Sequence, residues 1–299
     1  MLNLKRFECY SLHGRKTPTE PTAMNEDAFV AAHNLYAVID GATQRLGKKI
    51  GEQTTGAYLA EFLHRNLTHI AQDPAYQGVE AALLLAGINR AFGEKMMQEH
   101  PEHMANGYHF GPIAAITLVR LHDDDTYSYA GAGDCALVEL GPLGEVFQCP
   151  EAEKPHHIEQ ERIDQLITLK YEHGIDYDDA WLREDVMEKY NASRRALNVD
   201  WPAINGDPKL EELMFHGRRP LDDVAALVLM SDGMFVPGAE EKEASEMAAR
   251  QIVQHGISAY TTGLNKLYDE DPDRERFFRF KHQDDATAVL LQFKDILKN

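Results

Sequence analysis

Two apolar runs in this chain each end on an aspartate followed by a glycine. "LYAVIDGAT" spans Leu35 to Thr43 and stops at Asp40-Gly41, and "ALVLMSDGMF" spans Ala226 to Phe235 and stops at Asp232-Gly233. Short apolar runs of this kind read as strands buried in a sheet. A carboxylate at the end of a buried strand is costly unless it is paired or bound to a cation. One Asp-Gly after a strand reads as a turn. Two in one chain ask for a reason why buried strands should deliver acids. Glycine after each aspartate would let the backbone turn sharply and approach a ligand.

The rest of the chain sorts into groups of like elements. Arg6 to Ser11 reads as a first strand, and "DAFVAAHNLYAVIDG" as two strands joined by a tight turn near His33-Asn34. Apolar residues at helical spacing (Tyr58, Leu59, Phe62, Leu63, then Leu84, Ile88, Ala91, Phe92) mark two consecutive amphipathic helices. "PIAAITLVRL", "TYSYAGAG", "CALVELG" and "GEVFQCP" are four strand-like pieces separated by "HDDD", "GAGD" and "GPLG" turns. The region from about Ala152 to Asp223 is more polar. It carries one helix, "HIEQERIDQLITLKYEHG", and then reads as loop through "NASRRALNVDWPAINGDPKLEELMFHGRRPLDD". "VAALVLMSDG" is a strand, Glu240 to His255 and Ser258 to Tyr268 are helical, and "DATAVLLQF" is a last strand. Regular β-helix-β alternation is absent, so a doubly wound sheet is not expected.

Composition narrows the functional classes. The net charge of −19 in 299 residues argues against a nucleic-acid binder, which needs basic surface to meet phosphates. No apolar stretch reaches the roughly 18 residues of a membrane helix, and the first residues lack the apolar core of a signal peptide. A soluble cytoplasmic protein is expected. Cys9, Cys135 and Cys149 form neither a disulfide framework nor a metal motif, and each reads as a small core residue. The 14 histidines, His109, His156 and His157 among them, show no zinc-site spacing.

Five acidic positions share one context, the end or edge of an apolar strand. They are Glu26-Asp27 before "AFVAA", Asp40, Asp134 after "YAGAG", Asp232, and Asp284 before "DATAVLL". Lys and Arg are scarce beside them in sequence. Each alone reads equally as a turn or a solvated loop. Together they are a set of oxygen donors suited to a hard cation such as Mg2+ or Mn2+.

The ordered series "NED", "AVIDGAT", "AGAGDCALV", "LVLMSDGMF" and "DDATAVLL", from about Asn25 to Phe293, resembles the metal-dependent protein phosphatases of the PP2C (PPM) type, in a bacterial-like version. The resemblance implies an α+β fold, a four-layer α-β-β-α sandwich of two antiparallel sheets flanked by helices. It implies a single domain over residues 1–299, with a flap-like insert at about 152–223. It implies a serine/threonine phosphatase with two Mg2+ or Mn2+ ions and a phosphoprotein or small phosphoester as partner. Asp40 would bridge the ions, the Gly41 carbonyl would bind the second, and Asp232 and Asp284 would hold the first. Glu26 and Asp27 would lie beside the second ion, directly or through water, and Asp134 matches a ligand of a third, weaker ion. A hydroxide bridging two ions roughly 4 Å apart would attack phosphorus directly, with no covalent phosphoenzyme.

The sequence departs from the family's pattern in four places. Thr22 stands where many members have a phosphate-gripping arginine, leaving Arg15, Lys16 or Arg45 as substitutes. Ala42 replaces a histidine general acid. Val236 stands where a second acid for the third ion would sit, which favours two ions. Asp285 replaces an asparagine. In the insert, Arg194, Arg195, Trp201 and Asn205 read either as substrate docking or as a loop packed by Trp201 and Pro202. The missing arginine keeps a second function open, a weak or inactive relative serving as a binding module. A further candidate, the GxGxxA match "GAGDCA", needs a helix after it, and strand-like "CALVELG" follows.

Overall fold

A computed structural model describes residues 4–42, 49–150, 157–175, 183–277, 279 and 281–296. Numbered in chain order, one sheet contains β2 (Asp27–Ala32), β3 (Leu35–Ala42), β6 (Ile113–Leu121), β7 (Thr126–Ala132) and β10 (Phe215–Pro220), ordered β10-β7-β6-β3-β2. The other contains β1 (Arg6–Leu12), β8 (Ala136–Leu140), β9 (Val146–Cys149), β11 (Ala226–Met230) and β12 (Ala286–Gln292), ordered β1-β12-β11-β8-β9. Every pairing in both sheets is antiparallel. A small hairpin joins β4 (Lys49–Ile50) to β5 (Gln53–Thr54). The helices are α1 (Thr55–Gln72), α2 (Ala81–Glu99), α3 (Pro101–Met104), α4 (His157–His173), α5 (Glu184–Arg195), α6 (Leu210–Leu213), α7 (Glu241–His255) and α8 (Ile257–Asp269).

Three apolar interfaces stack these elements into four layers. Between the sheets lie Val38, Val119, Leu137, Leu227, Leu229, Val289 and Leu291. Alternate residues of β3 and β6 turn the other way, and Ala37, Ile39, Ile116 and Leu118 pack on Leu59, Leu63, Leu67 and Phe92 of α1 and α2. Val228, Met230, Ala288 and Leu290 meet Ala248, Ile252 and Ile257 of α7 and α8. The period-two side-chain alternation of the strands therefore feeds two cores from each sheet. The expected α-β-β-α sandwich is the observed fold. None of the described helices is long and apolar enough to cross a membrane.

Most elements follow the sequence expectations. The β2–β3 turn carries His33 at φ 53, and α1 is capped by Thr54, whose hydroxyl accepts the Ala57 N–H. The polar region differs: residues 184–195 form α5, which runs into the stretch read as loop, and within that stretch 210–213 form α6 and 215–220 form β10, the edge strand beside β7. β10 is "FHGRRP", polar and half-exposed, so it lacks the apolar run that marks a buried strand. Cys135 and Cys149 are buried, but Cys9 is exposed, because β1 is an edge strand with one face open. "GAGDCA" leads from β7 into β8, with no helix to hold a dinucleotide. Of the insert, 151–156 and 176–182 lie outside the described residues.

Candidate functional site

The strand register sets two acids side by side. Asp27, first residue of β2, is the cross-strand partner of Asp40 in β3. Like charges directly opposite each other on a sheet repel, and both carboxylates lie at the end of the sandwich where the two sheets face each other. The second sheet reaches across to them. Ser231, at the end of β11, donates its hydroxyl to Asp27 Oδ2 at 2.7 Å and accepts the Thr287 N–H at 2.9 Å. Asp27 is only 8% exposed, and its Oδ1 has no hydrogen-bond partner.

Burial and mutual repulsion dominate the electrostatics here. Burial, then the Asp285 and Asp284 charges against the opposing Ser231 and Thr287 hydrogen bonds, push the Asp27 carboxyl up to about 8. The Asp40 carboxyl is held well above the usual range, first by burial and then by the charges of Asp27, Asp232, Asp134 and Asp284. The charges of all four acids therefore act on Asp40. Asp27 and Asp40 come from one sheet. Asp232 and Asp284 come from the other and are exposed, and Asp134 stands on the β7–β8 connection.

Close backbone packing fixes both walls. A Cβ on Gly41 would meet the backbone of Gly56, in the first turn of α1, and the Glu26 carbonyl at 2.8 Å. Gly41 does not turn the chain, as the sequence suggested; it continues β3 to Ala42. A Cβ on Gly233 would overlap the Asp285 carbonyl oxygen, so glycine lets the 3-10 turn Asp232–Met234 press against the Asp285-Ala286 backbone. Asp285 is a clamp that the sequence did not reveal. Its Oδ1 accepts the Gly14 N–H at 2.6 Å and its Oδ2 accepts the Glu26 N–H at 2.8 Å. The signal available was its place beside Asp284.

The other candidates divide. The Glu26 carboxylate accepts the Thr54 hydroxyl at 2.5 Å, next to the positive N-terminus of α1, while its carbonyl accepts the Gly41 N–H at 3.0 Å. Arg15 is turned away from the acids, with Nη1 2.8 Å from Asp269 Oδ1 and Nε 3.0 Å from Gln283 Oε1. Lys16 is exposed, and Arg45 lies outside the described residues. Thr22 donates to the Met24 carbonyl, and Val236 packs against the α7 core. Trp201 meets Phe215 edge-on, and Arg194, in α5, donates to the carbonyls of His109 and Gly111, so this part of the insert is packed against the body of the fold. The scarcity of cations near the acids does not hold in space, since Lys281 Nζ lies 2.6 Å from Asp284 Oδ1.

All these donors are oxygens, the set a hard cation takes. Among the described residues, no three His, Cys, Asp or Glu side chains form a tight cage for one ion. The acids line opposite walls instead, an arrangement that suits ions that keep part of their water shell. The unpartnered Asp27 Oδ1 and the stacked negative charge around Asp40 fit such ions.

No protein-family model matches the chain, and no curated protein does. Solved structures do. A bacterial serine phosphatase aligns over 99% of this chain and 100% of its own, at 15% identity and TM-score 0.58. The serine/threonine phosphatase PstP of Mycobacterium tuberculosis aligns over 97% and 98%, at 18% identity and TM-score 0.54. Its catalytic domain in complex with two manganese ions gives TM-score 0.56 at 18% identity, over 97% and 98%. Stp1 of Staphylococcus aureus aligns over 100% and 96%, at 16% identity and TM-score 0.55. From end to end, this chain has the fold of these bacterial serine/threonine phosphatases.

Proposed function

We propose that this chain is a divalent-cation-dependent phosphatase that hydrolyses phosphoserine and phosphothreonine esters. The observation that carries the reading is that Asp27 and Asp40 lie side by side in one sheet while the charges of Asp232 and Asp284, from the other, act on the half-buried Asp40. Asp40, the Gly41 carbonyl, Asp232 and Asp284 would hold two Mg2+ or Mn2+ ions, with Glu26 and Asp27 alongside. Asp134 is the remaining acid, and Val236, packed against the α7 core, adds no carboxylate for a third ion. When bound, the ions would lower the pKa of water and offset charge on the phosphoryl oxygens.

The chain's own residues keep the chemistry to direct hydrolysis. Burial first, and then the Asp40 charge, push the Cys135 thiol well above its ordinary value, which disfavours the thiolate that a cysteine nucleophile needs. The Ser231 hydroxyl is spent on Asp27. Asp40 is fixed by its strand and Asp232 by its turn, so substrate and water would meet a rigid frame.

Hydrolysis of p-nitrophenyl phosphate and of phosphoserine peptides tests this. Activity is expected with Mn2+ or Mg2+ and is lost on chelation. Ion binding without hydrolysis would favour the binding-module alternative, and absence of both would refute the cation-dependent reading.

A further inference from the structure

We propose that Lys281 is the cation that contacts the substrate's phosphoryl oxygens, and that it is stored on Asp284 until a divalent cation takes that carboxylate. The inference rests on the phosphatase reading above. Lys281 is presented by a pinned segment. Asp271 accepts the backbone N–H groups of Glu275, Arg276 and Phe277 at 3.0 to 3.1 Å, and it pairs with Arg279. On the other side, His282 bonds Asp269 and Gln283 bonds Asn265 and Arg15. Between these anchors the Lys281 ammonium lies 2.6 Å from Asp284 Oδ1, an oxygen that also accepts the Asp285 N–H at 2.9 Å.

Asp284 adjoins Asp285, whose carboxylate accepts the Glu26 N–H next to Asp27, so Lys281 stands at the rim of the same cleft, and the Asp284 charge acts on both Asp27 and Asp40. The pair is half-exposed, with side chains 36% and 49% accessible. Such pairs are weak, and a divalent ion competes well for the carboxylate. Once released, the ammonium stays tethered beside the cleft as a point charge suited to phosphate. It is needed there, because a phosphate approaching a chain of net charge −19 and an acid-lined cleft is repelled. Arg15, on the neighbouring loop, is committed to Asp269 and Gln283.

The test compares Lys281→Gln and Lys281→Arg with the wild type in two assays. Competitive inhibition of p-nitrophenyl phosphate hydrolysis by inorganic phosphate reads the phosphate contact. Calorimetric titration with Mn2+ alone reads the hold on Asp284. Lys281→Gln should weaken phosphate inhibition by roughly tenfold or more, and Lys281→Arg should restore most of it. Lys281→Gln should also bind Mn2+ about two- to fivefold more tightly. These opposite signs are not expected from a residue that merely holds the segment. An unchanged inhibition constant would overturn the phosphate contact, and Mn2+ binding that is unchanged or weaker would overturn the storage on Asp284. A wild type that hydrolyses no phosphoester would instead overturn the phosphatase reading, and this inference with it.

Discussion

In Asp40-Gly41 the glycine stays inside a strand, whereas in Asp232-Gly233 it sits in a 3-10 turn. The same dipeptide solves two packing problems. Gly41 makes room for the first turn of α1, and Gly233 makes room for the Asp285 carbonyl of the neighbouring strand end. The aspartates differ as well. Asp40 is set in the sheet against Asp27, where burial and four neighbouring acids raise its carboxyl. Asp232 is exposed on the opposite wall. One wall of the cleft therefore stores electrostatic cost in the fold, and the other presents an exposed carboxylate.

The sharpest way to break this comparison is to neutralise each acid. Asp40→Asn and Asp232→Asn should each lower Mn2+-dependent turnover by about 100-fold or more. Without metal, however, Asp40→Asn should raise the melting temperature by relieving the repulsion gathered on that carboxyl, while Asp232→Asn, which removes only one of the four charges acting on Asp40, should raise it less. Equal effects on stability would erase the distinction between the walls.

The glycines come next. Gly41→Ala and Gly233→Ala each force a methyl group into backbone and should cost about 3 kcal/mol in urea denaturation, at the upper end of overpacking. A cost near zero at either position would show that its backbone contact does not require glycine.

A third effect is pH-dependent. The Asp27 carboxyl rises from an ordinary value of 3.8 to about 8 in the folded state, so the folded state holds a proton that the unfolded chain releases. That stabilisation is fully present below the ordinary value and is lost as pH rises through about 8. In chelator, the melting temperature should fall between pH 5 and pH 8, and Asp27→Asn should flatten the slope. The smallest expected effect is a control. Gly87 in α2 and Gly263 in α8 have open space where a Cβ would go, so alanine at either should stabilise by about 0.5 to 1 kcal/mol.

The comparison also explains what was legible in the sequence. Apolar runs such as "LYAVI" and "ALVLM" announced their strands because both faces are buried, and the acids at their ends were visible for the same reason. β10 was missed because an edge strand with half-exposed polar residues leaves no such run. α5 was missed because its mean hydropathy is low, although Glu184 and Asp185 in its first turn and Arg194 and Arg195 in its last complement a helix dipole. Asp285 stood out in the sequence only as a replacement for an asparagine, and its role as a clamp depends on Gly14 and Glu26, which are brought to it only by the fold. Arg15 looked free to bind phosphate until Asp269 was placed beside it.

The account's central claim is that acids from two sheets, arriving by different routes, share one cation-binding cleft. Calorimetric titration of Mn2+ into the wild type, Asp40→Asn and Asp232→Asn tests it most directly. The account predicts two ions for the wild type and the loss of at least one in each variant. A wild type that binds no Mn2+, or variants that both bind as the wild type does, would contradict it.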